Sequence, residues 1–397
     1  MDRPPAWIEP RAAYLHVPFC SHHCGYCDFA VSVGRDELMP AYVDAIITEL
    51  ARLETPRPVD TIFIGGGTPT HLPDADFERL LTAICHWLPS SPGGEFSIES
   101  NPESLNAAKC AAMQRAGVTR VSIGVQSFQP HLLKALDRAH RNEHIPRAIG
   151  EAADAGFEIS LDLIFAAPGA TPDDWARDLD AALAFGAKHL STYGLTYEKG
   201  TPLWKDRERG QLIPVTEDGE LAMYEFAIDR LADAGLEQYE ISNFARPGHR
   251  CRHNEHYWAN HAYFGFGVGA ARYTDFRREL NVRNTPDYIR RALAGESVTF
   301  QTEVLAPQDR AYETMAVQLR RIEGIAFGPF ETQTGFALGA LVAERLPVLL
   351  DRGLLHRGDT SLSLTRAGRR LADAIVEDLL KAKPTPASRR SLPRLAD

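Results

Sequence analysis

No stretch of this sequence is long and apolar enough to span a bilayer, and its first residues, MDRPPAWIEPRAAYLHVPF, lack the apolar core of a secretion signal. These absences point to a cytoplasmic protein. Basic charge is in deficit: 43 Lys and Arg stand against 53 Asp and Glu, a net of -10 at pH 7, which argues against a general polyanion binder. Cysteine is scarce, six in 397 residues, and three of the six crowd into one short segment, which is a poor disulfide framework. Beyond an alternation of strands and helices there is no internal repeat. What remains is an ordinary globular composition, 44% apolar and 24% charged, in a chain long enough to bury a substantial core.

Hydrophobic patterning organises the first 240 or so residues. Short apolar runs at Arg11–Val17, Asp60–Ile64, Glu95–Glu99, Arg120–Val125, Glu158–Ile164 and His189–Tyr193 read as strands. Between them lie helical patterns at Leu38–Glu54, Asp74–Trp87, Asn106–Ala116, His144–Ala155 and Thr171–Ala184. Such alternation implies parallel pairing through right-handed crossovers, here an α/β fold built as a partial (β/α)6 barrel. A further helix over Thr216–Ala234 and a strand at Glu237–Ile241 follow. Helical segments then lead to a hairpin around Gly358-Asp359 and a helix at Thr365–Leu380, a winged-helix-like, mainly helical pattern. The expected divisions are a core barrel at 11–245, a connecting segment at 246–304, a C-terminal domain at 305–380 and a disordered basic tail at 381–397.

The chemistry concentrates at Cys20-Ser21-His22-His23-Cys24-Gly25-Tyr26-Cys27, on the loop after the first strand. Three thiolates on one loop hold three irons of a 4Fe–4S cluster and leave the fourth iron open. Zinc held by the cysteines with His22 or His23 is the competing reading of the spacing. Cys85 and Cys110 sit in apolar helical patterns and read as small buried residues. Later strands end in polar or glycine-rich signals on the side where barrel active sites assemble: Gly65–Gly67, Glu99, Gln126, Asp162 and Tyr193. Gly65–Gly67 permit close approach of a ligand to backbone. Glu99 and Asp162 can accept hydrogen bonds from ribose hydroxyls or an ammonium, and Arg138 can pair with a carboxylate.

The segment Tyr14–Cys20 with its C-x3-C-x2-C resembles the radical S-adenosylmethionine (SAM) superfamily. The closer likeness is to the branch holding oxygen-independent coproporphyrinogen III dehydrogenases and the radical SAM haem chaperones. It extends over about Arg11 to Leu380 through GGGTPT (Gly65–Thr70), ESNPE (Glu99–Glu103), GVQSF (Gly124–Phe128), Arg138, DLI (Asp162–Ile164), YEISNFA (Tyr239–Ala245), HNEHYW (His253–Trp258) and GFGVGA (Gly265–Ala270). The resemblance implies that Cys20, Cys24 and Cys27 ligate a 4Fe–4S cluster. It implies SAM contacts from Tyr14, Tyr26, Gly66, Gly67, Thr68, Glu99, Gln126, Arg138, Asp162 and Gly194. In such proteins SAM chelates the open iron, and one-electron reduction splits it into methionine and a 5′-deoxyadenosyl radical.

Within the branch, the dehydrogenases carry a further cysteine where Phe29 stands here, and a long N-terminal extension that this sequence lacks. His253-Asn254-Glu255-His256-Tyr257-Trp258 instead resembles the HN-x-x-YW motif of the haem chaperones. The resemblance therefore implies a protein that binds haem through His253, with His256 second and Cys251 a weaker alternative, and passes it to acceptor haemoproteins. An electron donor for the cluster is implied too, and dehydrogenase activity is expected to be absent. Nucleic acid is not an expected partner: Pro307–Leu380 carries 9 basic against 10 acidic residues. The basic tail could contact an anionic membrane surface.

Overall fold

The computed structural model describes residues 4–381, which divide into two compact units that meet in the chain between Val304 and Leu305. The tail expected at 381–397 lies outside the described residues but for Lys381.

Six apolar runs of the first unit form the parallel strands β1 (Ala12–Val17), β2 (Val59–Gly66), β3 (Ser90–Ser100), β4 (Arg120–Gln126), β5 (Glu158–Phe165) and β6 (His189–Gly194), each paired with the next. The helices between them follow the apolar spacing: α1 (Met39–Ala51), α2 (Asp74–Trp87), α3 (Ala107–Ala116), α4 (His144–Asp154) and α5 (Pro172–Ala184). Their ends are set locally. Asn106 accepts from Lys109 N at the start of α3, and Gly117 closes it at φ 77°. Thr171 and Asp174 form a reciprocal capping box at α5. After α6 (Glu217–Asp233) the strand expected over Glu237–Ile241 shrinks to Glu237–Gln238. The Glu240 carboxylate accepts from Ser242 N at 2.9 Å and folds the chain back there.

The segment expected as a connector instead extends the sheet. Its strand β7 (Tyr263–Phe266) pairs parallel to β1, and three antiparallel strands follow outward. The twelve-strand order runs from Thr299–Val304 at one edge to Glu237–Gln238 at the other, so among the described residues the barrel stays open. Glu49 of α1 binds this extension: it accepts from Gly267 N at 2.8 Å, Asn281 Nδ2 at 2.9 Å and Tyr288 Oη at 2.7 Å. A buried carboxylate is tolerable because all these donors converge on it.

In the second unit, Leu355–Arg357 and Ser361–Leu364 form the expected hairpin, joined by Ile325–Ala326 into a three-stranded sheet among short helices. The final helix is broken into Arg366–Arg369 and Ala372–Leu380. Gly368 lies so close to the Leu354 carbonyl that a Cβ there would come within 2.0 Å of its oxygen, which pins the first turn to the hairpin.

The α5 helix offers a graded test of this packing. Trp175 is 2% exposed and its indole N–H donates to the Met223 carbonyl at 2.9 Å. Trp175→Ala is expected to cost about 3–5 kcal/mol, and Thr171→Ala, which removes only a cap, about 1 kcal/mol. Urea unfolding followed by circular dichroism gives both, and a larger loss for Thr171→Ala would contradict this packing.

Candidate functional site

A strand sends alternate side chains to opposite faces, and the inward set here is polar. Arg120, Ser122 and Gly124 of β4, Ser160 and Asp162 of β5, and His189, Ser191 and Tyr193 of β6 all line one cavity of about 520 Å³. That lies within the ~300–1,000 Å³ usual for a small-molecule site. The same wall includes Cys20, Cys24, Cys27, Tyr14, Tyr26, Gly66, Gly67, Thr68, Glu99, Gln126, Arg138, Gly194 and His253. One cavity thus gathers all the residues that the motifs singled out for cluster and SAM, together with one of the two motif histidines.

The cysteine loop is tied to the strand ends by backbone bonds: Thr68 N–H donates to the Phe19 carbonyl at 2.8 Å and Gly25 N–H to that of Leu136 at 3.2 Å. Side chains then reach its sulfurs. Thr68 Oγ1 donates to Cys20 Sγ at 3.6 Å, and Arg138 Nη1 to Cys24 Sγ at 3.2 Å. Asn101 joins the two, donating to Thr68 Oγ1 at 2.8 Å and accepting from Arg138 Nη2 at 2.8 Å. Burial pushes the Cys20 thiol up to about 12 and Cys27 up to about 11, so both stay protonated until a metal displaces the proton. Donors aimed at sulfur suit thiolate ligands of an iron–sulfur cluster. Of the loop histidines, His22 Nε2 sits 3.2 Å from Asp137, and His23 Nε2–H donates to the Cys27 carbonyl at 3.1 Å.

Beside the loop, Gly66 takes φ 110°, and its N–H donates to Glu99 Oε2 at 3.0 Å. A Cβ on Gly66 would come within 2.4 Å of the His16 ring. His16, held neutral by burial with its pKa near 4, accepts from the Tyr14 hydroxyl at 3.1 Å and donates to the Ala30 carbonyl at 2.8 Å. Gln126, at φ 65° beside an irregularity of the β4–β5 pairing, carries backbone strain at the strand end. Ser122 Oγ donates to both oxygens of Asp162, at 3.0 and 3.1 Å. Burial, then the Asp162 charge, raises Glu99 to about 7, and burial raises Asp162 to about 6.

The HNEHYW segment forms a helix, α7 (Arg252–Trp258), seated at the other end of the strands. Glu95 of β3 receives its start: Oε1 accepts from His253 N at 3.1 Å and from Cys251 Sγ at 3.3 Å, and Oε2 from Arg252 N at 3.0 Å. His253 faces the cavity, with Nδ1 2.9 Å from Thr61 Oγ1, its ring stacked on Phe63 and edged by Tyr257. Its Nε2 is buried without a hydrogen-bond partner among the described residues. Burial lowers its pKa to about 3, so the ring is neutral. His256 is off the cavity wall and donates Nε2–H to the Ala262 carbonyl at 2.8 Å. Cys251 lines the cavity but is committed to Glu95. The motif reading did not single out Thr61, Glu95, Asn101 or Arg120. Their signal was a polar residue inside an apolar strand or at its end, visible only once the inward face is known.

The model for the radical SAM superfamily matches residues 14–182, and that for the HemN C-terminal domain matches residues 305–371. The heme chaperone HemW of Bacillus subtilis (strain 168) is 36% identical, over 92% of this chain and 98% of its own length. That of Mycobacterium tuberculosis (strain ATCC 25618 / H37Rv) is 37% identical, over 94% and 95%. The solved structure of coproporphyrinogen III oxidase (HemN) from Escherichia coli, a radical SAM enzyme, superposes with a TM-score of 0.82 at 22% identity, covering 94% of this chain and 90% of that one, and so has the same fold. By its sequence relatives, its family-model matches and the cysteine-lined cavity at its strand ends, the chain belongs to the HemW family of radical SAM proteins.

Proposed function

We propose that this chain binds haem in its barrel cavity and delivers it to acceptor haemoproteins, with His253 as the iron ligand. One observation carries the reading: a neutral imidazole, buried on the cavity wall, with Nε2 unpartnered among the described residues. A metal-ligating histidine donates its other ring N–H, and Thr61 Oγ1 stands where that donation goes. Phe63 and Tyr257 supply flat apolar surface beside it. The bond from His256 Nε2–H to the Ala262 carbonyl, just past the end of α7, gives His256 a positioning role.

Cys20, Cys24 and Cys27 would hold the 4Fe–4S cluster, with SAM placed by Gly66–Thr68, Glu99, Gln126, Arg138 and Asp162. When bound, these groups supply one-electron chemistry. The chain's own contribution is orientation and exclusion of water. Arg138 and Thr68 fix two sulfurs, Gly66 holds the Glu99 carboxylate, and Ser122 holds Asp162 toward the cavity. We further propose a cytoplasmic setting, a protein electron donor, and contact of the basic tail with anionic lipid; no helix among the described residues is long and apolar enough to cross a membrane.

Haem titration followed by the Soret band tests the ligand. His253→Ala is expected to weaken binding at least tenfold and change the spectrum, while His256→Ala and Cys251→Ala stay within a few-fold of the parent. Unchanged affinity and spectrum in His253→Ala would remove the assignment. The same preparation, given SAM and a reductant without oxygen, is expected not to convert coproporphyrinogen III; turnover at enzymic rates would reclassify it.

The two raised carboxyl groups give SAM binding a pH dependence. Donors from ribose or an ammonium select the ionised carboxylates, so binding releases protons wherever Glu99 and Asp162 are still protonated. Affinity should therefore rise from pH 5 to about 7, following the values of about 6 and about 7, and level off above. In the empty protein the sign is opposite: folding favours the neutral acids, so stability is lost as pH climbs from the ordinary carboxylate range through 7. Calorimetry in buffers of different ionisation heat counts the protons, and a flat affinity over pH 5–7 would contradict the site.

A further inference from the structure

Among the described residues the cavity opens at the cysteine end. Its exposed lining residues are at the cysteine end, where Phe29 is 63% and Tyr193 44% exposed. Its opposite end is sealed: Arg120, His189, Cys251 and His253 are 4%, 2%, 2% and 1% exposed. The seal is built rather than incidental, because Glu95 anchors the first backbone N–H groups of α7, and Arg120 Nη2 donates to the Glu158 carboxylate at 2.6 Å and to the His249 carbonyl at 3.0 Å across the same end. A ligand that reaches His253 Nε2 must therefore enter past the cysteine loop and past Glu99 and Asp162.

Space is limited as well. Two ring contacts, of 5.3 and 6.3 Å between centroids, lead from His253 through Phe63 to Tyr14, on the same wall as Glu99. A porphyrin with its side chains spans that distance. A cavity of about 520 Å³ is the size that encloses one drug-sized molecule, and SAM and haem are each at least that large.

Resting on the haem reading above, we propose that haem and SAM occupy this cavity alternately: each excludes the other by sharing its entrance and its volume. SAM would then act on the haem site as a direct competitor, and release of SAM or of its fragments would open the way to His253. By linkage the effect is mutual, so haem must weaken SAM by the same factor.

The test uses the full chain with its cluster reconstituted and oxidised, and no reductant, so that SAM stays intact. Haem is titrated by Soret absorbance at rising SAM concentration. The expected result is an apparent haem affinity that falls in proportion to SAM without a plateau, about a hundredfold weaker at SAM one hundred times its own dissociation constant. Glu99→Gln, which weakens SAM, is expected to shift that loss to higher SAM concentration, read against the variant's own SAM-free haem affinity. Haem affinity unchanged by saturating SAM, or a loss that levels off as SAM is raised further, would overturn the competition and leave the haem reading standing. Absence of haem binding in SAM-free protein would overturn the haem reading, and the competition with it.

Discussion

The Arg138 guanidinium holds the site together. From beyond the end of β4 it donates to Cys24 Sγ, to the Asn101 side chain and, at 2.7 Å, to the Gly124 carbonyl. Through Asn101 and Thr68 the same network reaches Cys20, so two of the three cysteines are tied to the ends of β2, β3 and β4 by charge-assisted and neutral hydrogen bonds. A loop with little apolar content of its own is thus positioned by the barrel.

A second polar layer closes the other end. Glu95 and Arg120 sit on neighbouring strands, with 3.7 Å between Arg120 Nη2 and Glu95 Oε2. Buried charges of this kind are tolerable only when paired and hydrogen-bonded. Here Glu95 is filled by the start of α7, and one nitrogen of Arg120, Nη2, is met by Glu158 and two backbone carbonyls. The outcome is a helix held against the barrel end by specific bonds, with one of its imidazoles turned inward. Both layers arise from the same rule: polar residues on the inner face of parallel strands meet each other and the cavity instead of the apolar helices outside.

Much of this was legible from residue order. Alternating apolar runs placed β1–β6 and the helices between them, and caps at Asn106 and Thr171 set two of the helix starts, because helix and strand periods and end groups are local properties. The cysteine spacing and GGGTPT pointed to the cluster end, since those residues lie next to one another in the chain. The strand expected through Ile241 failed where the Glu240 carboxylate, accepting from Ser242 N and Asn243 Nδ2, turned the backbone, and residues 246–304 read as a connector because their strands are short and separated by turns.

By itself, then, the sequence determined the parallel strand–helix core, the cysteine loop and the residues facing its mouth, because periodicity and spacing are written in consecutive residues. Only the tertiary structure decided which polar residues meet inside. It placed Asn101 between two cysteine-linked hydrogen bonds, made HNEHYW a helical plug, and turned His253 inward while His256 faces away. Those outcomes depend on contacts between residues far apart in the chain, such as Thr61 with His253 and Glu95 with Arg252, whose energies exist only once the strands have paired.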